Sequence, residues 1–247
     1  IYFIIIFFLK KMTFKIFDYN TIEYGFYDKI FNNRKGVRSA WHHIKFNFIR
    51  NRIKTKNTHL DIGCGPGTFI SLLRNKLSIG IDISSKQINY AKKKYEKKNK
   101  KFLSFKKKIP SKNNYFDSVS VIELIEHLPD KSIFKLIDEI HRVLKPGGKI
   151  YITTPNYLSL WPIIEIFVNK FSNISYDHQH INKFNKFNLD KIINKKKFRI
   201  ISQSSFILLS PFLAIFSFKL SLWFSKYEHL IIKLFPGSLL FLELEKK

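Results

Sequence analysis

His59-Leu60-Asp61-Ile62-Gly63-Cys64-Gly65-Pro66-Gly67 is the stretch that decides the fold of this 247-residue chain. An apolar run leads into three alternate glycines, which let a chain turn tightly, offer bare backbone to a ligand and begin a helix at once. The next apolar run, Ser78 to Ile81, ends in the acid Asp82. At the end of the second strand of a doubly wound unit, such a carboxylate faces the two hydroxyls of a ribose. Together these features predict a site for a nucleoside-containing ligand.

The glycine spacing separates two kinds of nucleoside site. Dinucleotide sites use G-x-G-x-x-G to hold a pyrophosphate, whereas Gly63, Gly65 and Gly67 alternate strictly here. With Asp61 ahead of the glycines, the loop resembles motif I of the class I S-adenosylmethionine-dependent methyltransferases, whose cofactor carries a ribose and an amino-acid tail but no phosphate.

Three later segments resemble the same family in the same order. They are similar to its fourth strand, to the loop after that strand and to the turn into its fifth strand, and they lie at residues 114–122, 123–128 and 144–152. The resemblance is strong from about residue 58 to 156 and weaker from there to about 203. The segment Glu123 to Leu128 after its fourth strand resembles that of some ubiquinone-pathway O-methyltransferases.

The resemblance implies an α/β fold, a doubly wound, mostly parallel, seven-stranded sheet of the Rossmann-like methyltransferase type. It implies S-adenosylmethionine as cofactor, with the glycines along the amino-acid tail, Asp61 orienting the ammonium, Asp82 on the ribose and Ile83 against adenine. An acid after the third strand, which the family often offers to adenine, is missing from Phe105-Lys106-Lys107-Lys108. The cofactor-binding residues implied are Asp61, Gly63, Cys64, Gly65, Gly67, Asp82, Ile83 and Glu123.

Alternating apolar runs and helical stripes give a coarse order of elements. A helix is expected from about Ser39 and a helix capped by Ser84 or Ser85 after the second strand. The remaining elements predicted are strands ending near 62 and at 78–81, 102–105, 114–122, 149–154, 198–202 and 238–244, with helices at 68–75, 133–144 and 188–196.

The chain divides into three parts on this interpretation. Residues 1–12 are nine apolar residues, two lysines and Met12, the single methionine, which indicates either upstream sequence read in frame or a short hydrophobic anchor. Residues 13–57 form an N-terminal helical cap, in which Trp41, His42 and His43 either face a substrate or pack on the sheet. Residues 58–247 form the cofactor-binding domain, with a hydrophobic insert at about 206–236 between the last two strands.

Two histidines are the candidate catalytic residues. Methyl transfer from a sulfonium depends mostly on position, but a hydroxyl acceptor gains from a nearby base, for which His127 and His180 are the candidates, followed by Glu123, Glu126 and His178. Glu123, Glu126 and His127 could also hold a divalent cation. Unless the loop turns sharply, the adjacent side chains of Glu126 and His127 diverge, so no metal is expected.

Composition limits the remaining possibilities. The formal charge of +26 points to a polyanionic partner, yet only seven arginines and three alanines accompany many lysines, asparagines and isoleucines, as in an AT-rich genome. Nucleic acid is therefore not the favoured partner. Cys64 is the single cysteine, which excludes an internal disulfide and suits a reducing cytoplasm.

The hydrophobic insert carries the strongest indication of substrate. Residues 206–224 contain one charge, Lys219. The favoured interpretation is a hairpin or amphipathic pair that lies in the membrane interface or covers an apolar acceptor pocket, and the alternative is a dimer or lid helix covered by protein. We expect methyl transfer to an oxygen of a small-molecule, lipid or glycan-precursor acceptor, by a cytoplasmic enzyme that contacts the membrane peripherally. The alternatives are an RNA methyltransferase and a catalytically inactive binding protein with the cofactor fold.

Overall fold

A computed structural model describes residues 23–105, 108–171 and 179–247 of the chain. Several expectations concern residues outside these ranges. They are the extension at 1–12, the first part of the cap up to residue 22, the lysines at 106–107 and a base at 178.

Seven strands form one mixed sheet in the order β3-β2-β1-β4-β5-β7-β6. Strands β1 to β5 are parallel, and β7 lies antiparallel between β5 and β6. The doubly wound, mostly parallel sheet is therefore confirmed. The strands are β1 Thr58–Ile62, β2 Leu77–Asp82, β3 Lys100–Ser104, β4 Phe116–Ile122, β5 Leu144–Pro155, β6 Phe198–Phe206 and β7 Leu239–Lys246.

Helices cover both faces of the sheet, as is usual for a mostly parallel sheet. Short 3₁₀ turns follow β4, precede β6 and follow β6, at Ile125–His127, Leu189–Ile192 and Ser210–Ile215. The α-helices are α1 Phe26–Asn33, α2 Gly36–Arg50, α3 Thr68–Leu72, α4 Ser85–Tyr95, α5 Asp130–Val143, α6 Trp161–Phe171, α7 Phe218–Phe224 and α8 His229–Ile232.

The helix predicted at 188–196 is wrong, since only a 3₁₀ turn forms there. Asparagine side chains hydrogen-bond nearby amides: Asn185 Oδ1 accepts from Phe187 N at 2.8 Å, and Asn194 Oδ1 accepts from Lys196 N at 3.0 Å. Such local bonds offer the backbone an alternative to the helix ladder.

Helix α3 is also shorter than the predicted 68–75. Leu73 is already extended, and Asn75 donates to Lys54 O at 2.7 Å, which ties the chain to the end of the cap instead. The turn predicted at 145–148 lies within β5, where Gly147 takes a φ of 71° and the register to β4 shifts.

Two apolar clusters form the core, one on each face of the sheet. The stripe of α5, with Ile133, Ile137 and Ile140 buried, packs on one face as its spacing predicts. On the other face, α2, α3 and α4 pack through Ile44, Phe69 and other apolar side chains. The cap is therefore part of the core.

Asp28 fastens the first cap helix to the helices around the glycine loop. It is fully buried and accepts hydrogen bonds from Thr68 Oγ1 at 2.8 Å, Tyr90 OH at 2.9 Å and Tyr95 OH at 2.6 Å, and it pairs with Lys94 Nζ at 2.5 Å. These bonds hold the pKa of Asp28 below its usual value although burial opposes them. Since Thr68 follows the glycine loop directly, the cap is fixed to the loop itself.

The hydrophobic insert between β6 and β7 folds into the 3₁₀ turn at Ser210–Ile215 followed by α7 and α8. Its inner side contacts α2, and Leu222 and Ile232 pack against the core cluster on that face. Among the residues described, no helix is both long and apolar enough to cross a bilayer.

Candidate functional site

The loops after β1, β2 and β4 open onto one cavity of about 840 Å³ at the carboxyl edge of the sheet. Ligands bind at this edge in open α/β sheets, where the strand order reverses. Helix α2 of the cap closes one side of the cavity through Trp41, His42, Lys45 and Phe46, and α5 and α6 contribute further lining residues. Seven of the eight residues expected to bind the cofactor line it: Asp61, Gly63, Cys64, Gly65, Asp82, Ile83 and Glu123.

The three glycines of the loop all take left-handed φ angles, of 75° at Gly63, 50° at Gly65 and 79° at Gly67. A Cβ at Gly65 would meet no atom within 4 Å, so the bare backbone there faces open space. A Cβ at Gly67 would instead come within 2.6 Å of the Phe102 ring and 2.9 Å of Ala91. Gly67 therefore allows β3 and α4 to pack against the loop, and it is not among the residues that line the cavity.

Asp82 joins the ends of the two loops. Its Oδ2 accepts from Gly65 N at 2.9 Å and its Oδ1 from Ser84 N at 2.8 Å. Burial raises the pKa of this carboxyl group, and the backbone amides oppose the rise. Each oxygen keeps a second lone pair for a ligand hydroxyl. Ile83 follows with 57% of its surface exposed at the cavity, an uncovered apolar face beside the acid.

Asp61 lies at the end of a buried polar chain. Its carboxylate accepts from Ser120 Oγ, and His59 bridges Ser120 and Ser118 at 3.0 and 2.8 Å. Burial raises the pKa of Asp61 to about 7, and burial lowers the pKa of His59 to about 3, so that His59 is neutral. A cation in the cavity would therefore favour the ionised form of Asp61 strongly.

Glu123 is held by a partner that sequence reasoning missed. It takes a left-handed φ of 48° and pairs with Lys45 Nζ from helix α2, whose side chain is buried. Lys45 was one lysine among many, and only its place on the inward face of α2, one residue after Ile44, could have marked it. The pair closes the cavity between the cap and the fourth-strand loop.

Cys64 is a packing residue beneath the loop. It is buried, and its Sγ lies 2.8 Å from where a Cβ on Gly80 would stand, so that the thiol fills the space which that glycine leaves. Burial and the nearby carboxylates raise the pKa of the thiol far above its usual value, which makes it a poor nucleophile.

The 3₁₀ turn after β4 brings Glu126 and His127 onto the same side. His127 Nε2 lies 4.0 Å from Glu126 Oε1, so the loop makes the sharp turn without which these adjacent side chains were expected to diverge. The backbone oxygen of Glu126 accepts from Ile181 N at 2.8 Å and Asn182 N at 3.0 Å, which docks the segment carrying His180 against the turn. The rings of His127 and His180 lie 5.0 Å apart.

Polar contacts fix the Nδ1 atom of both His127 and His180. His127 donates through Nδ1 to Gln179 O at 3.0 Å, and His180 Nδ1 lies 2.6 Å from Glu165 and 2.9 Å from Tyr157 OH. Because His127 donates through Nδ1, its neutral ring carries the lone pair on Nε2. His127 lines the cavity, and burial lowers its pKa to about 4.

Glu126 forms a cluster with His127 and His180. It is buried, its Oε2 accepts from Thr154 Oγ1 at 3.0 Å, and its Oε1 has no hydrogen-bond partner among the described residues. Burial raises its pKa to about 8, so it is protonated at neutral pH when no cation is near. The ligand atoms of Glu126, His127 and His180 all lie within 4.8 Å of one another, which suits a divalent cation such as Zn²⁺ or Mn²⁺. This geometry removes the argument on which the expected absence of a metal rested.

The three cap residues considered for substrate contact divide. Trp41 and His42 line the cavity, and Trp41 packs on Trp161 with ring centroids 5.6 Å apart. His43 instead stacks on Phe31 at 3.8 Å and bonds the backbone oxygen of the same residue. Their positions on α2 thus place Trp41 and His42 at the cavity and His43 against Phe31 of α1.

Comparison with known proteins agrees with this geometry. Residues 35–203 match a family described as a methyltransferase domain. An uncharacterised protein of Methanocaldococcus jannaschii is 30% identical over 180 residues, which are 70% of this chain and 64% of that protein. The ubiquinone biosynthesis O-methyltransferase of Coxiella burnetii is 32% identical over 119 residues, 46% of this chain and 50% of the relative. The chain thus spans between half and two thirds of the length of these relatives.

Solved structures share the fold at low sequence identity. An S-adenosylmethionine-dependent methyltransferase from Archaeoglobus fulgidus has a TM-score of 0.59 at 20% identity, covering 90% of this chain and all of that one. A protein from Pyrococcus horikoshii has a TM-score of 0.60 at 18% identity, covering 90% and 98%. Both likenesses concern the fold alone.

Proposed function

Since the chain belongs to the methyltransferase domain family through residues 35–203, we propose that it transfers the methyl group of S-adenosylmethionine to an oxygen of a small-molecule, lipid or glycan-precursor acceptor. One observation carries the proposal: Asp61, Asp82, the bare backbone of Gly65 and the imidazole of His127 face the same cavity. The first three match an ammonium, a ribose and a methionine tail. His127 offers a base to the acceptor.

The residues present fit the cofactor. The open space at Gly65 would admit the amino-acid tail, with the carboxylate of Asp61 for its ammonium. Asp82, already accepting two backbone amides, keeps free lone pairs for both ribose hydroxyls, and exposed Ile83 would cover adenine. When bound, the cofactor supplies a methyl group on a sulfonium.

In the proposed reaction the acceptor oxygen bonds to the methyl carbon as the carbon–sulfur bond breaks, and the hydroxyl proton passes to a base. Most of the rate enhancement comes from holding the oxygen in line. His127 Nε2 is the base that we assign, because the ring is neutral and its Nδ1 is fixed by Gln179 O. His180 holds the neighbouring position, fixed by Glu165 and Tyr157.

The same three groups, Glu126, His127 and His180, fit a divalent cation, which would polarise the acceptor oxygen and lower its pKa. Chelation separates the two uses. Activity that survives EDTA assigns the base role to His127, and activity that EDTA abolishes and Mg²⁺ or Mn²⁺ restores assigns the cation role.

A lipid-linked acceptor is supported by the position of the hydrophobic insert. Helix α2 lines the cavity through Trp41 and His42, and the insert contacts the same helix. The hydrophobic insert therefore packs against the cap helix that lines the acceptor pocket.

The experiment is a release assay for S-adenosylhomocysteine. Purified protein is given the cofactor with a catechol, a prenylated phenol, a sugar nucleotide or an RNA transcript. We expect product with one hydroxyl acceptor, and a loss of about a hundredfold or more in kcat/KM for His127→Ala. His141→Ala is the matched control, because His141 lies on α5 against Phe198. Methylation of the RNA alone, or turnover unchanged in His127→Ala, would overturn the proposal.

A further inference from the structure

The outer side of the hydrophobic insert is uncovered although its inner side is packed. We call residues 209–235 the docking segment. Large apolar side chains along it are strongly exposed, Phe216 by 83%, Leu234 by 79% and Ile215 by 68%. Further exposed members are Leu209, Leu220, Trp223, Tyr227, Leu230 and Phe235. So many exposed apolar side chains within one short segment mark an interaction surface.

The exposed ionisable side chains of the docking segment are basic. Lys219, Lys226 and Lys233 are exposed, as is His229. Glu228 is the single acid of the segment, and it is buried. Its carboxylate accepts from the backbone N of Leu209 and Ser210 and from Ser210 Oγ at 2.6 Å, so it holds the segment together from within.

We propose that the docking segment binds the surface of a lipid bilayer containing anionic headgroups. Trp223 and Tyr227, 54% and 49% exposed and in ring contact at 5.1 Å, are the residue types that occupy the boundary between headgroups and hydrocarbon. Exposed lysines beside them are attracted by anionic lipid. The two short helices would lie in the interface with their apolar side chains inserted.

A second copy of the chain fits this surface less well. A symmetric dimer through the docking segment would bring six exposed lysines together, three from each copy, with no exposed acid in the segment to pair them. Lysine is also depleted from the buried centres of protein interfaces. A lipid surface supplies the missing negative charge and accepts the apolar side chains at once.

Vesicle flotation tests the proposal with the full chain and without cofactor, so its result does not depend on methyl transfer. We expect binding to phosphatidylcholine vesicles that contain phosphatidylglycerol, weak binding without it, and release at high salt. Replacing Lys219, Lys226 and Lys233 by Gln should weaken binding on the order of a hundredfold, since each lysine near the surface contributes about fivefold. Replacing Lys92, Lys93 and Lys98, on or just after α4, by Gln makes the same charge change and should have little effect.

A second pair of variants tests insertion. Phe216→Ser with Phe235→Ser should abolish flotation, whereas Phe134→Ser with Phe187→Ser, which changes exposed phenylalanines elsewhere, should not. In the unmodified protein, tryptophan emission should shift to shorter wavelength on adding vesicles, and Trp223→Phe should remove that shift.

Three results would overturn the proposal. One is an unmodified protein that stays with the soluble fraction. Another is equal loss of binding in the docking-segment variants and their matched controls. The last is a dimer in sedimentation velocity without lipid that Phe216→Ser dissociates.

Discussion

Asp61 makes cofactor binding depend on pH in a direction that the structure fixes. Burial raises its pKa to about 7, so without a bound cation a large fraction of the carboxyl group is protonated near neutrality. If this group accepts the ammonium of S-adenosylmethionine, only the ionised form binds well. The apparent affinity should therefore rise as the pH rises towards 7.

The magnitude follows from the ionised fraction. With a pKa of about 7, roughly one Asp61 in eleven is ionised at about pH 6 and one in two at about pH 7. The apparent Kd should thus fall about fivefold over that interval, equivalent to about 1 kcal/mol. Over this range the ammonium of the ligand stays mostly charged, because α-amino groups titrate near 7.7 to 8.0.

Isothermal titration calorimetry at several pH values, with Asp61→Asn as the comparison, is the assay. The amide keeps a partner for Ser120 but carries no charge, so its affinity should be weaker at about pH 7 and flat with pH. The folded-state pKa of Asp61 lies above its ordinary value, so its ionisation costs stability as the pH rises towards about 7. Asp61→Asn should therefore resist urea better than wild type above that pH. Equal pH dependence in both proteins would refute the assigned role of Asp61.

Three further variants test the framework of the site. Asp28→Ala should lower the free energy of unfolding by about 3 kcal/mol in urea titrations. Because the pKa of Asp28 is lowered, this difference should persist at neutral pH and shrink below about pH 4. A difference that stays constant with pH would contradict a stabilising role for the ionised carboxylate. Gly67→Ala should lower the free energy of unfolding by about 2–5 kcal/mol, through its positive φ and the contact with Phe102. Gly147→Ala, which has the positive φ alone, should lower it by about 1–2 kcal/mol. Equal losses in the two variants would contradict the packing role of Gly67. Asp82→Ala should weaken S-adenosylmethionine binding at least tenfold, about 1.4 kcal/mol, and unchanged affinity would rule Asp82 out.

Much of the fold was predictable because most strands of the sheet contain a short apolar run that is visible in the sequence. Short apolar runs such as Ser78 to Ile81 mark the strands although polar residues interrupt them, and the α5 stripe at Ile133, Ile137 and Ile140 has helical spacing. The prediction failed at 188–196, where asparagine side chains bind nearby amides of their own segment. Periodicity does not report such competition.

The site was predictable where a residue acts through the backbone conformation of its own loop. Gly63, Gly65 and Asp82 sit where the strand ends place them. The pairing of Lys45 with Glu123 could not be predicted, since it joins residues 78 positions apart. The convergence of Glu126 and His127 depends on a 3₁₀ turn that local sequence does not distinguish from a strand end.

The role of Gly67 shows a further limit. Its place in the motif predicted a cofactor contact, but its missing side chain makes room for Phe102 and Ala91. Sequence spacing locates the glycine, and only the packing of β3 and α4 against it separates the two uses.

A crystal structure of the protein grown with S-adenosylmethionine tests the cofactor site most directly. We expect the cofactor in the cavity between α2 and the carboxyl ends of β1, β2 and β4, with its ribose hydroxyls on Asp82 and its ammonium near Asp61. No cofactor density in the cavity at saturating cofactor, or a cofactor bound away from both carboxylates, would contradict the roles assigned to Asp61 and Asp82.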